Sequence, residues 1–200
     1  MGTQKPVALL IGPCETGKTT ILNLLKKPTD EIVTDIVTIG LFREVVPILD
    51  FFHVVSWTEA LRRLLPIYVE ERMYQNAKAI IWVHDCSNND TLSLKAEKIT
   101  FDRVLQRDDI RLAPLLVFAN KQDLPGAIGI DEVIELLDLT SLNSRNEPGR
   151  IWQVFGSVAT EKEGLIEGFG WLRNVIEDPA SYIPQNINKN EKTTKNANKV

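Results

Sequence analysis

Residues 12–20 read Gly-Pro-Cys-Glu-Thr-Gly-Lys-Thr-Thr, a match to G-x-x-x-x-G-K-[ST]. The motif is flanked by the compact apolar run Val7–Ile11 and by a stretch from Lys18 to Lys27 with helical periodicity. That stretch puts Ile21, Leu22, Leu24 and Leu25 on one stripe and closes at Lys26, Lys27 and Pro28. A strand, a glycine loop and a helix in this order serve a particular physics. The glycines let the chain curl until successive backbone N–H groups converge on one anion. The following helix adds its positive N-terminal end. Gly12, Glu15, Thr16, Gly17, Lys18, Thr19 and Thr20 are therefore the candidate phosphate-binding residues. Lys18 is expected to reach the β- and γ-phosphates and the Thr19 hydroxyl to ligate Mg²⁺. Pro13 lacks an N–H but precedes the donors that close around the β-phosphate, so it is tolerated. The chain reads as a nucleotide binder.

The rest of the sequence repeats the alternation of strand and helix. Apolar runs at Leu41–Val46, Ile48–Val55, Ala79–His84, Leu115–Ala119 and Ile151–Phe155 follow the first one. Helical spacing covers Thr58–Asn76, with Pro66 kinking or splitting it, and then Leu92–Gln106, Asp131–Leu137 and Gly164–Ile176. Pro47 cannot donate to a central ladder and belongs at a turn or an edge. Fully apolar strands alternating with helices predict an α/β domain, its mostly parallel sheet covered on both faces. Residues 1–178 form this domain. Residues 179–200 are expected to be a polar, disordered tail, because residues 186–200 carry four lysines against Glu191, a local charge of +3, and almost no bulky apolar side chains.

Composition narrows the setting. No apolar run approaches the roughly 20 residues of a membrane-spanning helix, and the N-terminus lacks a secretory layout. Cys14 and Cys86 are too few for a disulfide framework, which points to a reducing cytosol. A net charge of −4 argues against nucleic acid as a partner. Peripheral membrane contact through the basic tail stays open. His53 and His84 sit in apolar strand runs and read as packing residues, as do Trp82, Trp152 and Trp171; Trp57 reads equally as core or interface.

A phosphate loop does not choose its base. Asn120-Lys121-Gln122-Asp123, directly after the strand LLVFA, makes that choice. The Asp123 carboxylate can accept both the N1–H and the exocyclic amine of guanine, whereas adenine presents no such pair of donors. A site built to satisfy two donors rejects a ligand lacking them. Asn120 would brace the loop, and the Lys121 stem would cover the base.

At this point the chain resembles a known family. Leu116–Ala127 (LVFANKQDLPGA), Lys18–Leu22 (KTTIL), YQNAKAIIWVHD from Tyr74 and Gly164–Leu172 (GLIEGFGWL) are similar to the Arf and Arf-like branch of the Ras-superfamily small GTPases. The resemblance runs from about Val7 to Ile176. It implies the small-GTPase form of the phosphate-loop NTPase fold, with a six-stranded sheet. It also implies GTP and GDP as ligands with Mg²⁺, and a switch between two nucleotide-bound shapes. Thr38-Ile39-Gly40 resembles the first-switch Thr-Ile-Gly, which makes Thr38 a second Mg²⁺ ligand and a γ-phosphate contact. Val158-Ala159-Thr160 resembles the last base-binding turn, in which the Ala159 N–H would face the guanine oxygen. Protein effectors and regulators would dock through residues 38–75, and the protein would act as a cytoplasmic monomer, in places peripheral on membranes.

Two stretches depart from the pattern. Val54–Arg63 (VVSWTEALRR) holds neither the Asp-x-x-Gly nor the glutamine with which the family binds Mg²⁺ and orients the attacking water. Trp57 or Thr58 falls near the aspartate position, and Leu61 or Arg62 near the glutamine. Slow intrinsic GTP hydrolysis follows, or a GTP-gated binding module that does not turn over. A nucleoside or nucleotide kinase is a third reading, disfavoured by the guanine motif. Six residues precede Val7, where Arf proteins carry a myristoylated amphipathic helix; Gly2 is present, but Pro6 replaces the favoured Ser or Thr.

Overall fold

The computed structural model describes residues 6–25, 33–37, 41–48, 52–58, 67–142 and 149–182. Among the described residues there are seven strands: β1 Val7–Gly12, β2 Val33–Val37, β3 Leu41–Ile48, β4 Phe52–Thr58, β5 Ala77–Asp85, β6 Leu115–Asn120 and β7 Trp152–Ser157. They form one sheet in the order β2-β3-β4-β1-β5-β6-β7. The five strands from β4 to β7 in that order run parallel. β2 and β3 join them antiparallel. Helices α1 Lys18–Leu25, α2 Ile67–Gln75, α3 Thr91–Leu105, α4 Ile130–Leu136 and α5 Leu165–Glu177 complete the domain.

The strand count exceeds the expected six by β2, whose VTDIV sequence is interrupted by Thr34 and Asp35 and lacks the unbroken apolar run of the buried strands. It lies at the edge of the sheet. The break between β3 and β4 also differs from the expectation. Pro47 lies inside β3, opposite His53 of β4, rather than between two strands. β2 pairs only with Leu41–Val45, so at Pro47 that edge of β3 meets no strand among the described residues. Helix α2 begins at Ile67, immediately after Pro66, and Thr58 belongs to β4 instead.

Period-two alternation divides the core between two faces. Leu9, Ile11, Ile80, Trp82 and Val117 point to the face that holds Phe101 and Val104 of α3 and Val133 of α4. Ala8, Leu10, Ile81, Val83, Leu116 and Phe118 point to the other, against Ile21 and Leu22 of α1 and Leu165, Phe169 and Leu172 of α5. Burying each large side chain of this kind contributes about 1.5–3 kcal/mol. Helix α5 lies so near β6 that a Cβ on Gly168 would stand 2.6 Å from the Phe118 ring. Asp90 starts α3 by accepting the Ser93 N–H at 2.8 Å. Buried Arg150 donates to Ala113 O at 2.8 Å and to Leu105 O at 3.3 Å, satisfying a carbonyl at the end of α3. Trp82 is core, whereas Trp152 and Trp171 are half-buried against it. Packing continues past residue 178, since Tyr182 meets the Trp171 ring edge-on at 6.2 Å.

The register aligns the strand ends. Asp85 lies opposite Asn120, Asn120 opposite Ser157, and Gly12 opposite Thr58. A row of polar residues therefore closes the apolar strands at one pole, at the carboxyl ends of a parallel sheet where open α/β folds bind ligands.

Candidate functional site

The loop between β1 and α1 is shaped by two glycines. A Cβ on Gly12 would lie 2.5 Å from the Val83 carbonyl, so only glycine lets the tip of β1 lie against β5 here. Gly17 has φ +100°, and a Cβ there would overlap the Asn120 amide. Glu15, also at positive φ (62°), is exposed at the crown of the loop. Lys18 folds back into the loop. Its ammonium donates to the Pro13 carbonyl and to Thr16 Oγ1 at 3.4 Å. It is 5% exposed, and burial lowers its pKa to about 8 against the raising fields of Cys14 and Glu97. Among the described residues no carboxylate pairs with it. A buried ammonium ringed by a curled backbone at a helix N-terminus is arranged for an anion. Thr19 is exposed on the first turn of α1 and Thr20 is half-buried beside it.

Asn120 connects this loop to the far side of the site. Its Nδ2 donates to Thr16 O at 2.8 Å. Its Oδ1 accepts from Ser157 Oγ at 3.1 Å and from Ala159 N at 3.1 Å. Asn120 is 1% exposed, so each of these bonds is shielded from water. The expected brace is therefore wider than one loop, spanning β1, β6 and β7. The Ala159 N–H does not face outward as the resemblance implied. Asn120 Oδ1 is buried and takes it up, as a buried acceptor must find donors. Val158 and Ala159 are both buried in that turn.

The next loop carries Lys121, Gln122 and Asp123. Lys121 leaves β6 at positive φ (66°), and its Nζ meets Asp85 Oδ2 at 2.6 Å. Gln122 acts as an internal strut, donating to Ala119 O at 3.3 Å and Ile128 O at 3.1 Å, while its own N–H bonds Ser157 O at 3.2 Å. Asp123 then projects from the turn, exposed, with no protein partner for its carboxylate among the described residues. Thr38 lies outside the described residues, as do residues 59–63. β4 ends with Trp57 opposite Ile11 and Thr58 opposite Gly12, which puts the divergent stretch next to the start of the phosphate loop. No group of three His, Cys, Asp or Glu suited to a metal occurs among the described residues.

Three contributors escaped the sequence. Asp85 ends the run AIIWVHD, and its position opposite Asn120 needs the strand register to be known. Ser157 precedes the turn motif and is noticed only through its bond to Asn120. The third is a buried polar cluster behind the loop. Glu97 Oε1 accepts the Trp82 indole N–H at 3.0 Å and lies 2.9 Å from His84 Nδ1. His84 is thus a packing residue with a carboxylate partner 13 positions on in sequence, on α3. An acidic residue on the inward face of an otherwise apolar helix stripe is the signal that would have found it.

The two thiols differ sharply. Cys14 is exposed in the loop and Cys86 is buried. Burial pushes Cys86 up to about 12, with a Gln122 hydrogen bond opposing and the charges of Asp85, Glu97 and Glu132 adding to the rise. Because the thiolate is the nucleophile, Ellman's reagent at neutral pH will titrate Cys14 alone in the native protein, and both thiols after denaturation. Rapid reaction of both in the native state would contradict this burial.

The fold and this row of groups define a small GTPase of the Arf type. The family profile described as "ADP-ribosylation factor family" matches residues 2–176, and the chain belongs to that family. Among solved structures it is similar to the Arl6 BBS3 small GTPase from Trypanosoma brucei with bound nucleotide analogue GppNp. The two are 32% identical, with a TM-score of 0.67, over 87% of this chain and 98% of that one. Arf-family GTPases bind guanine nucleotides. No helix among the described residues is long and apolar enough to cross a membrane.

Proposed function

We propose that the protein is a GTP- and GDP-binding switch with slow intrinsic hydrolysis, acting in trafficking or signalling. The observation that carries this reading is Asn120, which bonds the phosphate loop on one side and the Ala159 turn on the other. Such a brace sets a phosphate site and a base site at a fixed separation. The donor set fits the nucleotide: Gly12 and Gly17 open a cradle that a Cβ would fill, and Lys18 is a buried cation lacking an acid partner among the described residues. In this reading Gly12, Glu15, Thr16, Gly17, Lys18, Thr19 and Thr20 hold the phosphates. Lys121 and Asp123 hold the base, while Asn120, through its bond to the Ala159 N–H, fixes the Val158–Ala159 turn beside it. Thr19 and Thr38 supply hydroxyl ligands to Mg²⁺, which neutralises phosphate charge when bound. Residues 38–75 form the surface for effectors and regulators. The protein works as a cytoplasmic monomer, with peripheral membrane contact through the tail.

A second reading, a GTP-gated module that never turns over, is favoured by one observation: residues 56–63 (SWTEALRR) carry no glutamine and no Asp-x-x-Gly. Phosphoryl transfer of this type depends on positioning and charge stabilisation, and an unoriented water forfeits much of both. The intrinsic single-turnover rate with saturating Mg²⁺ is expected at or below about 10⁻⁴ s⁻¹, the scale of unassisted Ras. A clearly faster rate would show that another group replaces the glutamine. Guanine nucleotide recovered from the purified protein, followed by GTP turnover with and without cell extract, separates the readings. Turnover stimulated by extract supports the switch, and none supports the module. Recovery of adenine nucleotide, or of none, would sink both.

A further inference from the structure

We infer that Asp85 is a positioning residue for the base: it anchors the Lys121 ammonium so that the aliphatic stem is held along the face of a bound purine. The inference rests on the guanine reading above. Lys121 sits in the left-handed region at φ 66°, a conformation that costs a non-glycine residue about 1 kcal/mol or more. Some contact must compensate. The contact is Asp85, whose Oδ2 accepts from Lys121 Nζ at 2.6 Å.

Asp85 is itself fixed. Its Oδ1 accepts the Ser87 N–H at 3.0 Å and the Ser87 hydroxyl at 2.7 Å, so the carboxylate cannot swing away from the lysine. The Cys86 N–H bonds Asn120 O at 3.0 Å, and the Ile128 N–H bonds Cys86 O at 2.9 Å, which ties this strand end to both ends of the base loop. Lys121 and Asp85 side chains are 29% and 18% exposed, so water screens the pair only in part. Burial alone would raise the Asp85 carboxyl. The Lys121 ammonium and the Ser87 bonds outweigh burial and hold it below its ordinary value.

The consequence for function is a division of labour. With its charge taken up by Asp85, Lys121 offers the ligand its methylene stem, an apolar surface that can lie flat on a ring. Such a contact is blind to the groups on the base edge, which remain the task of Asp123. The anchor therefore sets how long a purine nucleotide stays and leaves the choice of purine alone.

The test measures release of fluorescently labelled GDP and IDP from the full-length protein, together with thermal melts. IDP lacks the exocyclic amine of guanine but presents the same ring faces. Asp85→Asn is expected to speed release of both about tenfold, in line with loss of one charge-assisted hydrogen bond, and to leave the GDP-to-IDP ratio unchanged. Lys121→Met should do the same, the double variant should be no worse than either, and Asp85→Glu should restore most of the loss. Unchanged release from Asp85→Asn, or effects that multiply in the double variant, would overturn the inference. So would a changed GDP-to-IDP ratio, or a lower melting temperature with unaltered release. Failure of the unaltered protein to take up labelled GDP would instead overturn the guanine reading, and the role of Asp85 with it.

Discussion

Asp123→Asn will lower GDP affinity by about 10²–10³-fold and turn the preference toward xanthosine diphosphate. The carboxylate is expected to accept two hydrogens from guanine, and each charge-assisted bond of this kind is worth about 1.5–3 kcal/mol. An amide keeps one acceptor and replaces the other with a donor, which faces the guanine amine as donor against donor. Xanthine has an oxo group in place of that amine and accepts from the new N–H. Asp123 is exposed and bonded to nothing else among the described residues, so the fold should be indifferent to the change. Competition of the two diphosphates for the variant, read by displacement of a labelled nucleotide, checks it. A variant that still prefers GDP would mean that Asp123 does not read the base. The melting temperature of the ligand-free variant should match that of the unaltered protein.

Asn120→Ala, in contrast, will damage both fold and site. Three hydrogen bonds from one buried side chain disappear, and Thr16 O, Ser157 Oγ and the Ala159 N–H lose their partner in a water-poor setting. Each lost bond removes about 1 kcal/mol, and each stranded polar group adds a desolvation penalty of about 1–3 kcal/mol where water cannot reach it. Three lost bonds and one partner left out of water's reach come to about 4–6 kcal/mol, a large share of the 5–15 kcal/mol of a typical domain. Denaturant unfolding of the ligand-free protein measures it. Asn120→Asp is the informative companion, since it keeps the acceptor for Ser157 and Ala159 but loses the donor to Thr16. It should fall between the two. Unfolding of the alanine variant within about 1 kcal/mol of the unaltered protein would show that water replaces the lost contacts.

Much of this was legible in the residues. Buried parallel strands announce themselves as unbroken apolar runs, and Ala79–His84 and Leu115–Ala119 fall inside β5 and β6 as read. The phosphate loop is local in sequence, and its glycines have one physical purpose. Less legible was anything that depends on register. Asp85 and Asn120 are 35 positions apart and meet only because β5 and β6 pair in one alignment. The Ala159 amide illustrates a second limit. Family resemblance assigned it to the ligand, whereas it donates to a side chain at the tip of the neighbouring strand β6. β2 was missed because Thr34 and Asp35 break the apolar run that marks a central strand.

The groups proposed to meet phosphate and base come from the ends of β1, β5, β6 and β7, and the stretch without the Asp-x-x-Gly and glutamine begins within β4. Holding the ligand and timing its cleavage are thus written on different parts of the chain. Substitutions could accumulate in the second part without loosening the first. A lineage of such proteins is free to abandon the clock while keeping the latch.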